Sequence, residues 1–133
     1  MKPKRPAEAH GEPIVSIVDD DVSVRNSTRR LLRSSGLLAE SFASAEEFLQ
    51  SESLGKTSCL LLDVSMPKMG GLELQRRLAD MGRRIPIVFL SARASEEEER
   101  RALRAGASAF LHKPARQEEL LLAVRAAIAG LAD

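Results

Sequence analysis

The chain has 133 residues, a length suited to one domain, and its 44% hydrophobic and 29% charged content is that of a globular rather than a disordered protein. Lys and Arg total 20 against 19 for Asp and Glu, a formal net charge of +1, and with no Trp, no Tyr and four Phe there is neither the basic footprint nor the stacking platform of a dedicated nucleic-acid binder. One cysteine excludes a disulfide framework and a Cys-based zinc site, and no run approaches the roughly 18 apolar residues of a membrane span.

Residues 1–13 hold three of the six prolines and no apolar periodicity, so they are expected to form a flexible tail ahead of a single domain over 14–131. The tail is basic but lacks the apolar stretch of a secretory signal, which points to the cytoplasm. Ile14–Val18 (IVSIV) is short, apolar and rich in β-branched residues, which predicts a buried strand. Asp19, Asp20 and Asp21 end it, because no buried strand continues through three carboxylates. Val24, Leu31 and Leu32 then recur at helical spacing up to Gly36, a C′ residue. Leu38–Phe42 is a second, more polar strand, expected near a sheet edge. Ser44 followed by Glu47 predicts a capping box and a helix through about Gln50.

Cys59–Leu62 is a wholly apolar third strand, stopped by Asp63. The stretch from Met66 to Gly71 reads as a loop, and Leu72, Leu74 and Leu78 mark the next helix. Ile85–Leu90 is a fourth strand ended by Ser91, and Ser95 with Glu98 is a second capping box, its helix closed by Gly106. Ala109–Leu111 is a short fifth strand before Lys113 and Pro114. A last helix from Gln117 to about Ala129 turns Leu120, Leu121, Val124 and Ile128 inward. Five successive βα units require a parallel sheet with helices on both faces, an α/β doubly wound fold.

In such a sheet, ligands sit beyond the carboxyl ends of the strands, where the strand order reverses. There the sequence sets Asp19–Asp21, Asp63, Ser91 and Lys113. Two carboxylates about 4 Å apart repel by about 4 kcal/mol at an effective dielectric of 20, so the acidic cluster calls for a cation or a shared proton. Hard oxygen donors suit Mg²⁺, with Mn²⁺ as a substitute. Lys113 offers a point charge and Ser91 a hydroxyl to a phosphoryl oxygen. Carboxylate nucleophile, metal, ammonium and hydroxyl together suit phosphoryl transfer.

The stretches Val-Asp-Asp-Asp at 18–21, Leu-Asp-Val-Ser-Met-Pro at 62–67, Ser-Ala at 91–92 and Phe-Leu-His-Lys-Pro at 110–114 resemble the receiver domain of two-component response regulators, most closely the nitrogen-fixation regulator subfamily. The resemblance runs from about Pro13 to Leu131. It implies a flavodoxin-like (βα)5 fold with strand order 2-1-3-4-5. It further implies that Asp63 accepts a phosphoryl group from a sensor histidine kinase or phosphotransfer protein, and that Asp20 ligates Mg²⁺ directly, with Asp19 mainly through water. By the same resemblance the backbone carbonyl of Ser65 completes the metal set, Ser91 and Lys113 bind phosphoryl oxygens, and the Lys113–Pro114 bond is cis. Phe110 would be the aromatic switch that follows Ser91 inward. The output would be read on the face of the fourth helix, fifth strand and fifth helix by a downstream effector, a face that also serves homodimers.

Other readings stand beside these. Asp21 reads as an N-cap, Cys59 as an inert core thiol and His112 as a surface or packing residue. Arg25, Arg29, Arg30 and Arg33 read as a solvated face, and Glu96–Glu99 with Arg100, Arg101 and Arg104 as a charge-laced exposed helix. Arg93, two positions after Ser91, is a candidate with Ser65 for tuning phosphoryl lifetime. Ala115, where relatives often carry Phe, is expected to loosen the loop before the last helix. The expected role is a signalling switch rather than an enzyme, without direct nucleic-acid or membrane contact, either acting alone through docked partners or as one piece of a longer regulator. A degenerate, non-phosphorylated interaction module and an aspartyl phosphohydrolase are the competing classes. The hydrolase usually needs a second acid where Ser65 stands.

Overall fold

The structure, a computed structural model, describes residues 12–131. Most of the expected tail, residues 1–11, lies outside the described residues. Ten main elements alternate: β1 (Ile14–Val18), α1 (Val22–Ser34), β2 (Leu38–Phe42), α2 (Ala45–Gln50), β3 (Cys59–Leu62), α3 (Gly71–Asp80), β4 (Ile87–Ser91), α4 (Glu96–Arg104), β5 (Ala109–His112) and α5 (Gln117–Leu131). A 3-10 turn, Glu52–Gly55, follows α2 and has no periodic signal in the sequence. The five strands form one parallel sheet in the order 2-1-3-4-5. The expected doubly wound fold is the one observed.

Alternation along each strand divides the core in two. Val15, Ile17, Cys59, Leu61, Val88, Leu90 and Leu111 face Leu32 of α1 and Leu120, Val124 and Ala127 of α5. Val18, Leu60, Leu62, Ile87 and Phe89 face Phe48 of α2, Leu74 and Leu78 of α3 and Ala102 of α4. Because side chains alternate with period two, a strand covered on both faces must be apolar throughout, as β3 is and as β4 is up to its last residue, Ser91. Full burial of each Val, Leu or Phe contributes roughly 1.5–3 kcal/mol, so the two layers together hold the sheet. Ser16 interrupts the second layer; it is fully buried and shares a 2.7 Å hydrogen bond with Thr57. Cys59 is an apolar core position, and burial pushes its thiol up to about 12.

The helix ends follow local chemistry. Asp21 caps α1, its Oδ1 accepting from the backbone N–H groups of Ser23 and Val24 at 2.8 and 3.2 Å. Ser95 and Glu98 form the expected reciprocal box at α4. At α2 the expectation needs correcting. Ser44 caps the N–H of Glu47, but the Glu47 carboxylate accepts from Ala43 instead of Ser44, because the chain bends one residue earlier. Gly36 and Gly106 take φ of +89° and +108° after α1 and α4, the left-handed geometry that suits glycine. β4 starts two residues later than the apolar run suggests, since Pro86 has no N–H to give the ladder. Ala115 packs against the α1–α5 layer.

Candidate functional site

The sheet reverses its winding between β1 and β3, and both strands end there in aspartate. The N–H of Asp19 donates to Phe42 O at 3.2 Å and that of Asp63 to Val18 O at 3.0 Å, so the ladder itself fixes both acids. The N–H of Lys113 donates to Ser91 O at 2.9 Å, which places the loops after β4 and β5 on the same crevice. Asp19, Asp63 and Ser91 are buried, at 3%, 6% and 0% exposure, whereas Asp20 is exposed. The three carboxylates offer oxygens that all lie within 4.8 Å of one another.

Among the described side chains, one cation answers them. Lys113 Nζ donates to Asp19 Oδ2 at 2.8 Å and lies 3.6 Å from Asp63 Oδ2. Burial opposes the charge of Lys113, but its hydrogen bond to Asp19 and the charges of Asp63, Asp19 and Asp21 outweigh it and raise its pKa. Asp63 is raised above the ordinary carboxylate value. Burial is the largest cause and Asp19 and Asp20 add to it, while Lys113 and the amide of Ser65 offset it in part. That amide donates to Asp63 Oδ1 at 3.3 Å. Three carboxylates against one ammonium leave an excess of negative charge in a partly desolvated crevice. An oxygen-rich donor set of this charge fits a hard divalent cation such as Mg²⁺.

The other expected residues fall as follows. Ser91 Oγ accepts from the N–H of Arg93 at 3.4 Å, which ties the loop after β4 to the crevice. Ser65 is exposed beside Asp63. Phe110 is half-buried, its ring stacked on Phe89 at a centroid distance of 5.5 Å and 5.4 Å from the ring of His112. The Lys113–Pro114 bond is cis, as expected. His112 is exposed, its Nε2 3.0 Å from Glu99 Oε1 across α4 and β5. Close packing seals the floor. A Cβ on Gly71 would meet the carbonyl oxygen of Asp63 at 2.3 Å.

The helix-one arginines are not merely a solvated face. Arg25 Nη1 donates to the Asp19 carbonyl at 2.8 Å and Arg33 Nη2 to the Ala39 carbonyl at 3.0 Å. Helical spacing places Arg25 on the stripe of Thr28 and Leu32 but names neither partner, since each contact depends on how α1 lies against the sheet. A wider groove of about 890 Å³ opens at the opposite end of the strands, lined by Gln75, Arg83 and Ala127 among others, with no carboxylate among the described residues that line it.

Comparisons with known proteins agree with this geometry. A family model described as the response regulator receiver domain matches residues 15–125. Response regulator protein TodT of Pseudomonas putida is 44% identical over 115 residues, covering 86% of this chain and 51% of its own. Nodulation protein W of Bradyrhizobium diazoefficiens is 46% identical over 120 residues, covering 90% and 53%. The solved structure of response regulator StyR superposes with a TM-score of 0.85 at 42% identity, covering 92% of this chain and 62% of that one. The chain thus spans about half the length of the curated relatives it matches. No helix among the described residues is long and apolar enough to cross a membrane.

Proposed function

The chain belongs to the response regulator receiver domain family, and from that premise we propose that it is a phosphoacceptor switch in which Asp63 takes a phosphoryl group in an Mg²⁺-dependent reaction. The observation that carries this reading is the crevice itself: Asp63, only 6% exposed, shares one site with Asp19, Asp20 and the Lys113 ammonium. An oxygen of Asp63 attacks phosphorus of a phosphohistidine on a sensor kinase or phosphotransfer protein. The P–N bond breaks, the imidazole leaves with the electron pair and takes a proton, and an acyl phosphate forms at Asp63.

Asp19, Asp20, Asp63 and the Ser65 carbonyl would hold Mg²⁺, which supplies charge neutralisation for the phosphoryl oxygens. The chain's own groups do the rest. Lys113 swings from Asp19 toward a phosphoryl oxygen, and the Ser91 hydroxyl donates to another. Movement of Ser91 removes the acceptor of the Arg93 N–H, and Phe110, on the neighbouring strand, turns with it. The change reaches the surface of α4, β5 and α5, where Leu103 and Leu122 are 44% and 70% exposed. A downstream effector or a second copy docks on that face. The protein works in the cytoplasm and acts on its own aspartate, not as an enzyme on free substrates.

Incubation with acetyl phosphate and Mg²⁺, followed by intact mass, tests the reading. One added phosphoryl group, absent without Mg²⁺, supports it. No gain at the earliest times, with no phosphate released, would favour a non-phosphorylated interaction module instead.

A further inference from the structure

Asp19 has no free polar group in this fold. Its N–H donates to Phe42 O at 3.2 Å, its Oδ1 accepts from the N–H of Asp21 at 2.9 Å and its Oδ2 from Lys113 at 2.8 Å. The remaining group, its carbonyl, is taken by Arg25 Nη1 at 2.8 Å. Arg25 stands on the first turn of α1, its own N–H bonded to Asp21 O at 3.0 Å, so the guanidinium reaches back over the aspartate turn it follows. That turn carries no apolar anchor of its own: Asp20, Asp21 and Val22 are all exposed.

We propose that Arg25 is a positioning residue for the acidic crevice, clamping the Asp19 carbonyl so that Asp19 and Asp20 present their carboxylates to the cation. The inference deepens the Mg²⁺-dependent reading above and rests on it. Two effects of the guanidinium oppose each other. Its positive charge weakens attraction of a divalent cation to the crevice, by Coulomb's law. Its hydrogen bond fixes the backbone between two ligand-bearing residues, and outer partners that orient metal-binding groups typically set 10–100-fold in affinity. The short, partly buried bond to a main-chain oxygen favours the second effect, because it directs the guanidinium to the backbone rather than to the carboxylate oxygens themselves.

The sign of one measurement separates them. Mg²⁺ alone is titrated into the full 133-residue chain and followed by the amide signals of Asp20 and Asp21, for wild type, Arg25→Gln and Arg25→Lys. Arg25→Gln should raise the Kd roughly 10-fold, and Arg25→Lys, which keeps a charged donor, should recover most of it. Before any metal is added, the Asp20 amide nitrogen should already shift in Arg25→Gln, since the Asp19–Asp20 peptide loses its carbonyl partner. A purely structural role would lower the melting temperature and leave the Kd alone. Arg25→Ala removes the same donor and replaces Gln should that variant not fold. Equal or tighter Mg²⁺ binding by the Gln or Ala variant overturns the inference. Failure of the wild type to bind Mg²⁺ would overturn the underlying reading as well, so the two failures are told apart.

Discussion

Lys113 Nζ donates to Oδ2 of Asp19 at 2.8 Å, joining the loop after the last strand to the loop after the first. Asp63 Oδ2, 3.6 Å from the same nitrogen, is the more distant partner. The ammonium thus serves as a resident counter-ion, and a phosphoryl group on Asp63 would compete with Asp19 for it.

Lys113→Met removes that counter-ion and leaves a buried carboxylate oxygen without its donor. Losing the charged partner of a buried group costs roughly 1–3 kcal/mol. The urea midpoint at pH 7 in EDTA should fall accordingly, and Mg²⁺ should restore part of the loss by taking over the neutralising role. An unchanged midpoint would argue that the pair contributes nothing.

Asp63 sets a pH dependence of definite sign. Its folded pKa is raised above 3.8, by burial first and then by Asp19 and Asp20. A carboxyl raised on folding contributes stability while protonated. That contribution is complete below the unfolded value and is lost as pH rises through the folded one. In EDTA, Asp63→Asn should therefore be more stable than wild type at pH 7, with the gap closing as the pH falls toward about 4. Chemical denaturation across this range would show it, and a less stable Asn variant at pH 7 would contradict it.

Ser91 is fully buried, its Oγ touched only by the N–H of Arg93 among the described hydrogen bonds. Ser91→Ala should change folding stability by no more than about 1 kcal/mol. It should slow phosphorylation by acetyl phosphate about 10-fold or more, because one donor to the phosphoryl oxygens is gone. Equal rates in a stopped time course would remove Ser91 from the chemistry.

Two glycines should respond oppositely to alanine. At Gly71 a Cβ would press on the Asp63 backbone at 2.3 Å, so Gly71→Ala should cost about 3 kcal/mol or more and disturb Mg²⁺ binding. Gly130 lies in the last turn of α5, and a Cβ added there would meet nothing within 4 Å, so Gly130→Ala should be neutral or stabilise by up to about 1 kcal/mol. Thermal melts of the two variants test both signs.

The fold is legible because each apolar run ends abruptly in a polar residue, and parallel strands buried on both faces need such runs. The convergence of Asp19, Asp63 and Lys113 follows from the same pattern, since the carboxyl ends of neighbouring strands share one crevice. The contact made by Arg25 is not legible. Its position, three residues before Thr28 and seven before Leu32, puts it on the sheet-facing stripe of α1, but the repeat does not name a partner, and its bond to the Asp19 carbonyl exists only once α1 has docked on the sheet. The 3-10 turn at Glu52–Gly55 is equally hidden, because four residues are too few to carry a period. The spacing from Leu72 and Leu78 puts Gln75 on their face of α3, but what satisfies its amide is hidden: its Nε2 donates at 3.0 Å to Ala102 O, and that partner lies on a different helix, α4.

That Asp63 is the phosphoacceptor is the central claim, and its most direct test reads the modified residue itself. After incubation with acetyl phosphate and Mg²⁺, treatment with borohydride reduces an acyl phosphate to the alcohol, and peptide sequencing by mass spectrometry then identifies the residue that carried it. Reduction is expected at Asp63 alone, abolished by Asp63→Asn and by EDTA. Modification centred on Asp19 or Asp20, or none at Asp63 while the protein as a whole gains phosphate, would contradict it.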